Sequence, residues 1–253
     1  MAPASGKIID NLSRVRDRIA LAASRAARRA EEITLVAVSK THSERKIQEL
    51  YEAGVRHFGE NRVQERESKL PHLETLEATW HMIGHVQKNK AARAARLFDS
   101  IDSLDSIALA EKLDRAAADF TVEETEKNMS SESSRFAAKN LLRVLIEVKL
   151  DPEPAKSGAD SKDLPRLVEA IARLPHLDLR GLMGVPPYSD DPEEARPHFR
   201  CLRELRDALR ARMGAEILPV LSMGMSHDLE VAIEEGATEV RVGTALFGAR
   251  EGT

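Results

Sequence analysis

A lysine at the end of a short apolar segment is the residue in this sequence with the clearest potential for chemistry. Lys40 follows the apolar run 35–38 and Ser39, and Thr41 comes next. The run is too short for a helix, and an unbroken apolar series of this length is typical of a buried parallel strand. An amine at the end of such a strand must be solvated, paired or used chemically, because burying an unpaired charge is costly. Lys40 is therefore a candidate reactive amine, with a solvated strand-end lysine as the alternative.

The elements that would position Lys40 alternate regularly along the chain. Short apolar segments predict strands at 33–39, 55–58, 79–83, 98–101, 141–148, 179–183, 217–222 and 238–242. Apolar residues spaced three and four apart predict helices between them, at 43–53, 61–70, 86–96, 105–118, 162–174, 191–213 and 226–235. A further amphipathic pattern at 7–29 predicts an N-terminal helix within residues 1–32.

This alternation predicts an α/β protein, a (β/α)8 barrel with an extra N-terminal helix, as a single domain over residues 1–253. A doubly wound open sheet is the alternative, but no predicted strand is followed by a G-x-G-x-x-G turn. One segment interrupts the rhythm, because residues 119–140 are polar, acidic and rich in serine. We expect a flexible insertion there, at the end of the barrel opposite the C-terminal ends of the strands.

Composition narrows the compartment and the partners. The chain of 253 residues has a formal net charge of -4 and a single cysteine, Cys201, which cannot form an internal disulfide. It contains no apolar run of about 18 residues. These features predict a cytoplasmic protein with no membrane and no nucleic-acid partner.

Glycines and hydroxyl residues follow the last two predicted strands. Ser222 and Gly224 lie at the end of the seventh strand, and Gly243 and Thr244 follow the eighth. Barrels often bind phosphate between these two loops, where backbone N–H groups and hydroxyls can approach the oxygens. The two segments together predict a phosphate site, with ordinary tight turns as the alternative.

Arg241 lies within the eighth strand, where a buried guanidinium needs a planar acceptor. A lysine, a phosphate site and a buried arginine at one barrel mouth suggest pyridoxal phosphate (PLP), with the lysine forming an imine and the arginine facing the ring nitrogen. An ion pair between Arg241 and Glu147 is the alternative. His81 and His85 straddle a strand end and are not expected to meet, so we predict no metal site.

Several motifs in the same order resemble the pyridoxal phosphate homeostasis protein family, whose members are single-domain relatives of the alanine racemase barrel domain. The matching segments are Val38-Ser39-Lys40-Thr41, Phe58-Gly59-Glu60-Asn61, Trp80-His81-x-Ile83-Gly84-His85, Lys156-Ser157-Gly158, Arg180-Gly181-Leu182-Met183, Ser222-Met223-Gly224-Met225-Ser226 and Arg241-x-Gly243-Thr244. The resemblance implies that Lys40 forms the Schiff base and that Arg241 meets the pyridine nitrogen. It further implies that Asn61 lies beside the cofactor and that the phosphate is held by Ser222, Gly243 and Thr244. Arg62 departs from the aromatic residue that many relatives carry there.

The expected site favours a carrier over an enzyme. An arginine stays protonated and leaves the pyridine nitrogen without a proton, which weakens the ring as an electron sink. Racemisation would need a second acid–base group, and the further domain that supplies it in alanine racemases is not expected here. Of the two tyrosines, Tyr51 is expected to pack outside the barrel and Tyr188 to sit in a rigid loop.

We therefore expect a PLP-binding protein of intracellular PLP homeostasis that supplies PLP to PLP-dependent apoenzymes and has no catalytic residue. A racemase of the alanine racemase type and a cofactor-free Schiff-base aldolase are the alternatives. Lys90 and Lys156 are further candidate amines. A monomer is expected, and a dimer is left open.

Overall fold

A closed barrel of eight parallel strands forms the centre of the protein. The computed structural model describes residues 4–128, 141–151 and 157–248. Neighbouring strands pair in sequence order from β1 to β8, and β8 pairs with β1 to close the barrel. The strands are β1 Thr34–Val38, β2 His57–Glu60, β3 Thr79–Met82, β4 Ser100–Leu104, β5 Leu142–Val148, β6 Leu177–Gly184, β7 Val220–Ser222 and β8 Glu239–Val242. The predicted (β/α)8 barrel and its strand order are confirmed.

Helices cover the outside of the barrel, and the predicted N-terminal helix is present. They are α1 Ala4–Arg25, α2 Glu44–Glu52, α3 Val63–Leu73, α4 Ala91–Leu97, α5 Ile107–Asn128, α6 Leu164–Ile171, α7 Arg196–Met213, α8 Leu229–Glu234 and α9 Thr244–Phe247. Short 3₁₀ turns precede α4 and α7, at Lys88–Lys90 and Pro192–Ala195. None of the helices in these ranges is long and apolar enough to cross a membrane.

The polar segment after the fourth barrel helix differs in part from its prediction. Helix α5 continues through Asn128, so residues 119–128 are helical. Glutamate and lysine are frequent in this part of the sequence, and both are good helix formers despite their polarity. The rest of the predicted insertion, 129–140, lies outside the described residues, as does Lys156.

Helix α1 lies along the outside of the barrel against the last two helices. Its apolar face is buried, with Leu12 and Val15 each 1 % exposed. Near its start, the side-chain amide of Asn11 donates to the carbonyl of Leu246 in α9. One turn past its middle, Arg18 forms a two-pronged ion pair with Glu230 in α8, with N···O distances of 2.6 and 2.8 Å. Helix α1 therefore joins the first part of the chain to the last.

The strand register decides which residues become neighbours inside the barrel. In β1, Val36 is opposite Arg241 of β8 and His57 of β2. Strand β1 thus lies between β2 and β8, and the segments that follow these three strands lie side by side at the barrel mouth.

Candidate functional site

Lys40 lies at the mouth of the barrel between the ends of β2 and β8. It is half-buried, and the N–H of Ser39 before it donates to the carbonyl of Gly59 in β2. On the other side, a Cβ built on Gly243 would lie 3.4 Å from the Cβ of Val38. Asn61, which follows β2, and Gly243, which follows β8, therefore flank the strand that ends in Lys40.

A buried polar group supports the backbone just before Lys40. The hydroxyl of Ser39 donates to Oε1 of Glu60, and Nζ of Lys69 donates both to that oxygen and to the carbonyl of Ser39. All three contacts are between 2.7 and 2.8 Å. Burial raises the pKa of Glu60, and the nearby ammonium of Lys69 opposes this shift. Sequence reasoning missed this group, although Glu60 and Ser39 lie within the quoted motifs.

Arg241 is fixed in the barrel interior by neutral oxygens. It is 4 % exposed, and its Nη1 donates to the hydroxyl of Ser222 at 2.6 Å. Its Nη2 donates to the carbonyl of Gly184 at 2.9 Å. Burial lowers the pKa of the guanidinium, while the carboxyl groups of Glu239 and Asp102 raise it. A guanidinium starts from so high a value that Arg241 stays a cation.

The alternative ion pair between Arg241 and Glu147 does not form. The carboxylate of Glu147 accepts instead from the hydroxyl of Ser157 at 2.9 Å. Burial raises the pKa of Glu147, and both Ser157 and the charge of Arg241 oppose this shift. Arg241 therefore presents its charge without a carboxylate hydrogen-bonded to it.

The loops after β7 and β8 meet beside the start of α9. The hydroxyl of Ser226 accepts from the N–H of Ala245 at 3.2 Å, so this loop lies against Gly243 and Thr244. Gly224 bends the loop with a φ of 93°, and a Cβ there would lie 2.5 Å from that of Ala232. The loop is also held from outside, since Nη2 of Arg18 in α1 donates to the carbonyl of Ser226.

The two predicted phosphate segments are thus brought together, but their serines differ in placement. Ser222 is fully buried, and its hydroxyl contacts Arg241. Ser226 lies at the junction with α9. Ser226 is part of a motif noted in the sequence, but the sequence analysis did not assign it to the phosphate site. Its position four residues after Ser222, beyond the glycine that turns the chain, was the available signal.

A chain of hydrogen bonds crosses the barrel interior below the mouth. The carboxylate of Asp102 accepts from the hydroxyl of Ser100 and from Nδ1 of His81, the latter at 2.8 Å. The other ring nitrogen of His81 lies 3.0 Å from Nδ1 of His57. Burial opposes a charge on His81, but Asp102 and Glu239 outweigh it and raise the pKa of His81. The raised pKa favours the protonated form of His81, in which both ring nitrogens can donate.

His81 shifts the pKa values of the two groups that contact it, Asp102 and His57. Burial would raise the pKa of Asp102, but the charge and hydrogen bond of His81 outweigh burial and lower it. Burial, and then the charges of His81 and Arg143, lower the pKa of His57 to about 4. Burial raises the pKa of Glu239. These shifts favour an ionised Asp102, a protonated His81 and a neutral His57.

Two carboxylates lie beside His81, although the sequence analysis paired neither of them with a histidine. Potential ligand atoms of His81, Asp102 and Glu239 lie within 4.8 Å of one another. Asp102 comes from the neighbouring strand β4, whereas Glu239 comes from β8, so the approach of Glu239 to His81 depends on barrel closure. Since Nδ1 of His81 already holds a proton shared with Asp102, the arrangement is an ion pair rather than a set of open metal ligands.

Other predicted candidates lie away from this centre. Tyr51 is on α2, where its hydroxyl accepts from the N–H of Glu77 and its ring packs against Arg56. Tyr188 is 79 % exposed in the loop after β6 and donates to Asp190. His85 lies 3.3 Å from Asp105 and does not meet His81. Lys90 is half-buried at the end of the 3₁₀ turn before α4.

The fold and its site place the protein in a class of barrels related to alanine racemase. Residues 11–251 match the family model described as "Alanine racemase, N-terminal domain". Among relatives, the pyridoxal phosphate homeostasis protein of Aquifex aeolicus is 43 % identical over 244 residues, covering 96 % of this chain and 98 % of that protein. The pyridoxal phosphate homeostasis protein of Escherichia coli strain K12 is 40 % identical over 248 residues, covering 96 % and 97 %.

A solved structure agrees with these sequence relatives. PipY of Synechococcus elongatus, in a structure with PLP bound, is 36 % identical and superposes with a TM-score of 0.78. The match covers 95 % of this chain and 100 % of PipY. The chain belongs to the pyridoxal phosphate homeostasis protein family.

Proposed function

We propose that this protein binds PLP through a Schiff base to Lys40 and holds it for supply to other proteins in intracellular PLP homeostasis. The observation that carries the proposal is Arg241, a buried cation held by Ser222 and Gly184 beneath the mouth where Lys40 lies. The names of the relatives and the PLP bound to PipY support the same ligand.

The residues at the mouth fit the parts of PLP. The amine of Lys40 would take the aldehyde, and Asn61 would lie beside the ring. Gly243 and Thr244 would hold the phosphate, where the absence of a side chain at Gly243 leaves room over Val38. We assign Ser226 to the same phosphate site because its hydroxyl lies at the start of α9. Ser222 would act by fixing the Arg241 guanidinium.

The protein's own groups favour binding over turnover. When bound, PLP supplies an aldehyde that takes up amines and a ring that can withdraw electrons. A guanidinium facing the ring nitrogen would donate to it and give it no proton, so Arg241 would limit that withdrawal. Both tyrosines of the sequence are engaged elsewhere, Tyr51 with Glu77 and Tyr188 with Asp190. We therefore propose a carrier without a catalytic residue, acting as a monomer in the cytoplasm.

Binding at Lys40 is tested by absorbance and by mapping the attachment site. We expect the purified protein to show the absorbance of protein-bound PLP and, after borohydride reduction, a PLP adduct on the peptide containing Lys40. Lys40→Ala should lose both signals, and Lys112→Ala, at an exposed position on α5, should keep them. An adduct that persists on another lysine in Lys40→Ala would contradict the assignment, and a protein with no PLP-dependent absorbance would contradict PLP binding.

The supply of PLP to other proteins is tested separately, by following its transfer to an apoenzyme. The loaded protein is mixed with a PLP-dependent apoenzyme, with and without a trap for free PLP, and recovery of the apoenzyme's activity is followed. Recovery that persists with the trap supports supply, and recovery abolished by the trap contradicts direct transfer. Amino-acid racemase turnover by the loaded protein that disappears in Lys40→Ala would support the enzyme instead.

A further inference from the structure

The end of the barrel opposite Lys40 contains a cavity. Its volume is about 390 Å³, and its lining includes residues at the beginnings of five strands. Those that matter here are Thr34, His57, Arg143, Val220, Thr238 and Glu239. The volume is many times that of a single buried water, so the cavity can hold a small molecule.

Arg143 provides a positive charge in this cavity. It lies in β5, where it is opposite Ser100 of β4. Its Nε is buried, and no part of the described chain provides a hydrogen-bond partner for that atom. Removing a guanidinium from water without an acceptor is costly, so a partly buried arginine is normally paired. The cavity therefore holds a cation suited to an anionic partner.

Neighbouring groups in the cavity can donate hydrogen bonds to the same partner. Nδ1 of His57 lies 3.0 Å from Nε2 of His81. When the protonated His81 donates in this contact, the neutral His57 ring carries its proton on Nε2 and can donate it to a ligand. Oε1 of Glu239 is buried with no hydrogen-bond partner in the described ranges. Burial raises the pKa of this carboxyl, which reduces the negative charge that it presents to an anion, although the charges of His81 and Arg241 oppose the shift.

The remaining charges in the cavity balance each other. Nε of Arg28 lies 3.4 Å from Glu32, and Nη1 of Arg28 donates to the carbonyl of Ala237. Glu32 also lies 3.2 Å from Arg29, and these arginines lower its pKa. Because Glu32 is paired within its own segment, its negative charge does not neutralise Arg143.

We propose that this cavity binds a small oxyanion, a carboxylate or a phosphate-type anion, on the guanidinium of Arg143 with His57 as a second donor. The planar fork of a guanidinium matches both kinds of anion, because each offers two oxygens at the right spacing. The site is independent of PLP at Lys40, since it lies at the other end of the strands. The protein would thus bind a second, small anionic ligand.

Titration calorimetry with inorganic phosphate and with succinate tests the proposal. Both are titrated at constant ionic strength into the PLP-loaded protein, in which PLP occupies the proposed phosphate site at the mouth, with chloride as the ionic control. We expect saturable binding of one or both anions. Binding of phosphate alone would indicate a phosphate-type ligand, and binding of succinate alone would indicate a carboxylate. Absence of binding by both up to about 20 mM, corresponding to a free energy weaker than that of ordinary ligand sites, would overturn the proposal.

Variants of Arg143 locate the binding. Arg143→Gln should weaken it by about tenfold or more, as expected for the loss of a charged hydrogen bond, and Arg143→Lys should have an intermediate effect. Arg173→Gln, an exposed arginine just past α6, should change nothing. Circular dichroism checks that each variant is folded. If Arg143→Gln does not fold, the comparison is made with Arg143→Lys. Affinity unchanged in the folded Arg143 variant, or lost equally in Arg173→Gln, would show that the anion binds elsewhere.

Discussion

The mouth of the barrel and its interior are both polar, but they are polar in different ways. At the mouth, Lys40 is half-buried and Thr244 is exposed, and the flanking Gly243 adds only backbone. In the interior, His81 and Asp102 are 1 % and 0 % exposed and bind each other. Groups that bond each other inside a protein contribute to stability, whereas groups at an open mouth are available to a ligand. Substitutions should therefore separate the two regions into one that sets stability and one that sets binding.

The largest effect is expected from breaking the buried ion pair. Asp102→Asn removes the negative charge beside His81, so that the buried histidine must either lose its proton or hold an uncompensated charge. We expect the free energy of unfolding to fall by about 3–5 kcal/mol, measured by urea denaturation. The matched control is Asp105→Asn, because Asp105 pairs with His85 at 3.3 Å where that histidine side chain is 52 % exposed. Its change should stay below about 1 kcal/mol. Equal losses in the two variants would remove the distinction between mouth and interior.

A smaller effect is expected from the titration of His57. In the unfolded chain this histidine binds a proton near pH 6.5, but in the folded protein burial lowers its pKa to about 4. The unfolded state binds more protons between these values, so stability is present above pH 6.5 and is lost as the pH falls toward 4. We expect a loss of about 2 kcal/mol, reduced from the full shift because the ring is half-buried.

Urea denaturation across this pH range checks the titration. His57→Gln should lose this part of the pH dependence, while His72→Gln, at an exposed position, should follow the unmodified protein. A profile unchanged by His57→Gln would show that another group is responsible for the acid sensitivity.

The smallest change in stability is expected at the mouth. Thr244→Val removes an exposed hydroxyl, so the free energy of unfolding should change by less than about 0.5 kcal/mol. The affinity for PLP should nevertheless fall about fivefold, as for the loss of one hydrogen bond. Thr238→Val is the mirror control, because this hydroxyl accepts from the N–H of Leu221. It should lower stability by about 1 kcal/mol and leave PLP affinity unchanged. A larger loss of stability in Thr244→Val than in Thr238→Val, or a larger loss of PLP affinity in Thr238→Val, would contradict this distinction between the two regions.

The mouth could be predicted from the sequence because each of its parts is local. Lys40, Gly243 and Thr244 each follow directly after a recognisable strand, and barrel topology alone brings strand ends together. The contacts of the interior could not be predicted, because the partners of His81 come from other strands and depend on the strand register. Charged residues such as Asp102 inside buried strand segments were a visible signal, but they did not say which residue would meet which. Our proposal that Ser226 rather than Ser222 serves the phosphate site has the same origin, since the direction of a hydroxyl depends on the turn at Gly224.

The hydrogen bond between Asn11 and Leu246 joins residues 235 positions apart and has a consequence for the order of folding. Closing so long a loop costs chain entropy before any contact can offset it, and contacts of this range slow folding. Strand β8 and helix α9 are the last described elements to be synthesised, yet they must pair with β1 and α1. Gly243, which flanks Lys40 on the β8 side, can therefore join it only after the ribosome has synthesised nearly the whole barrel. A nascent chain that lacks these elements has its lysine but no completed place to hold a cofactor.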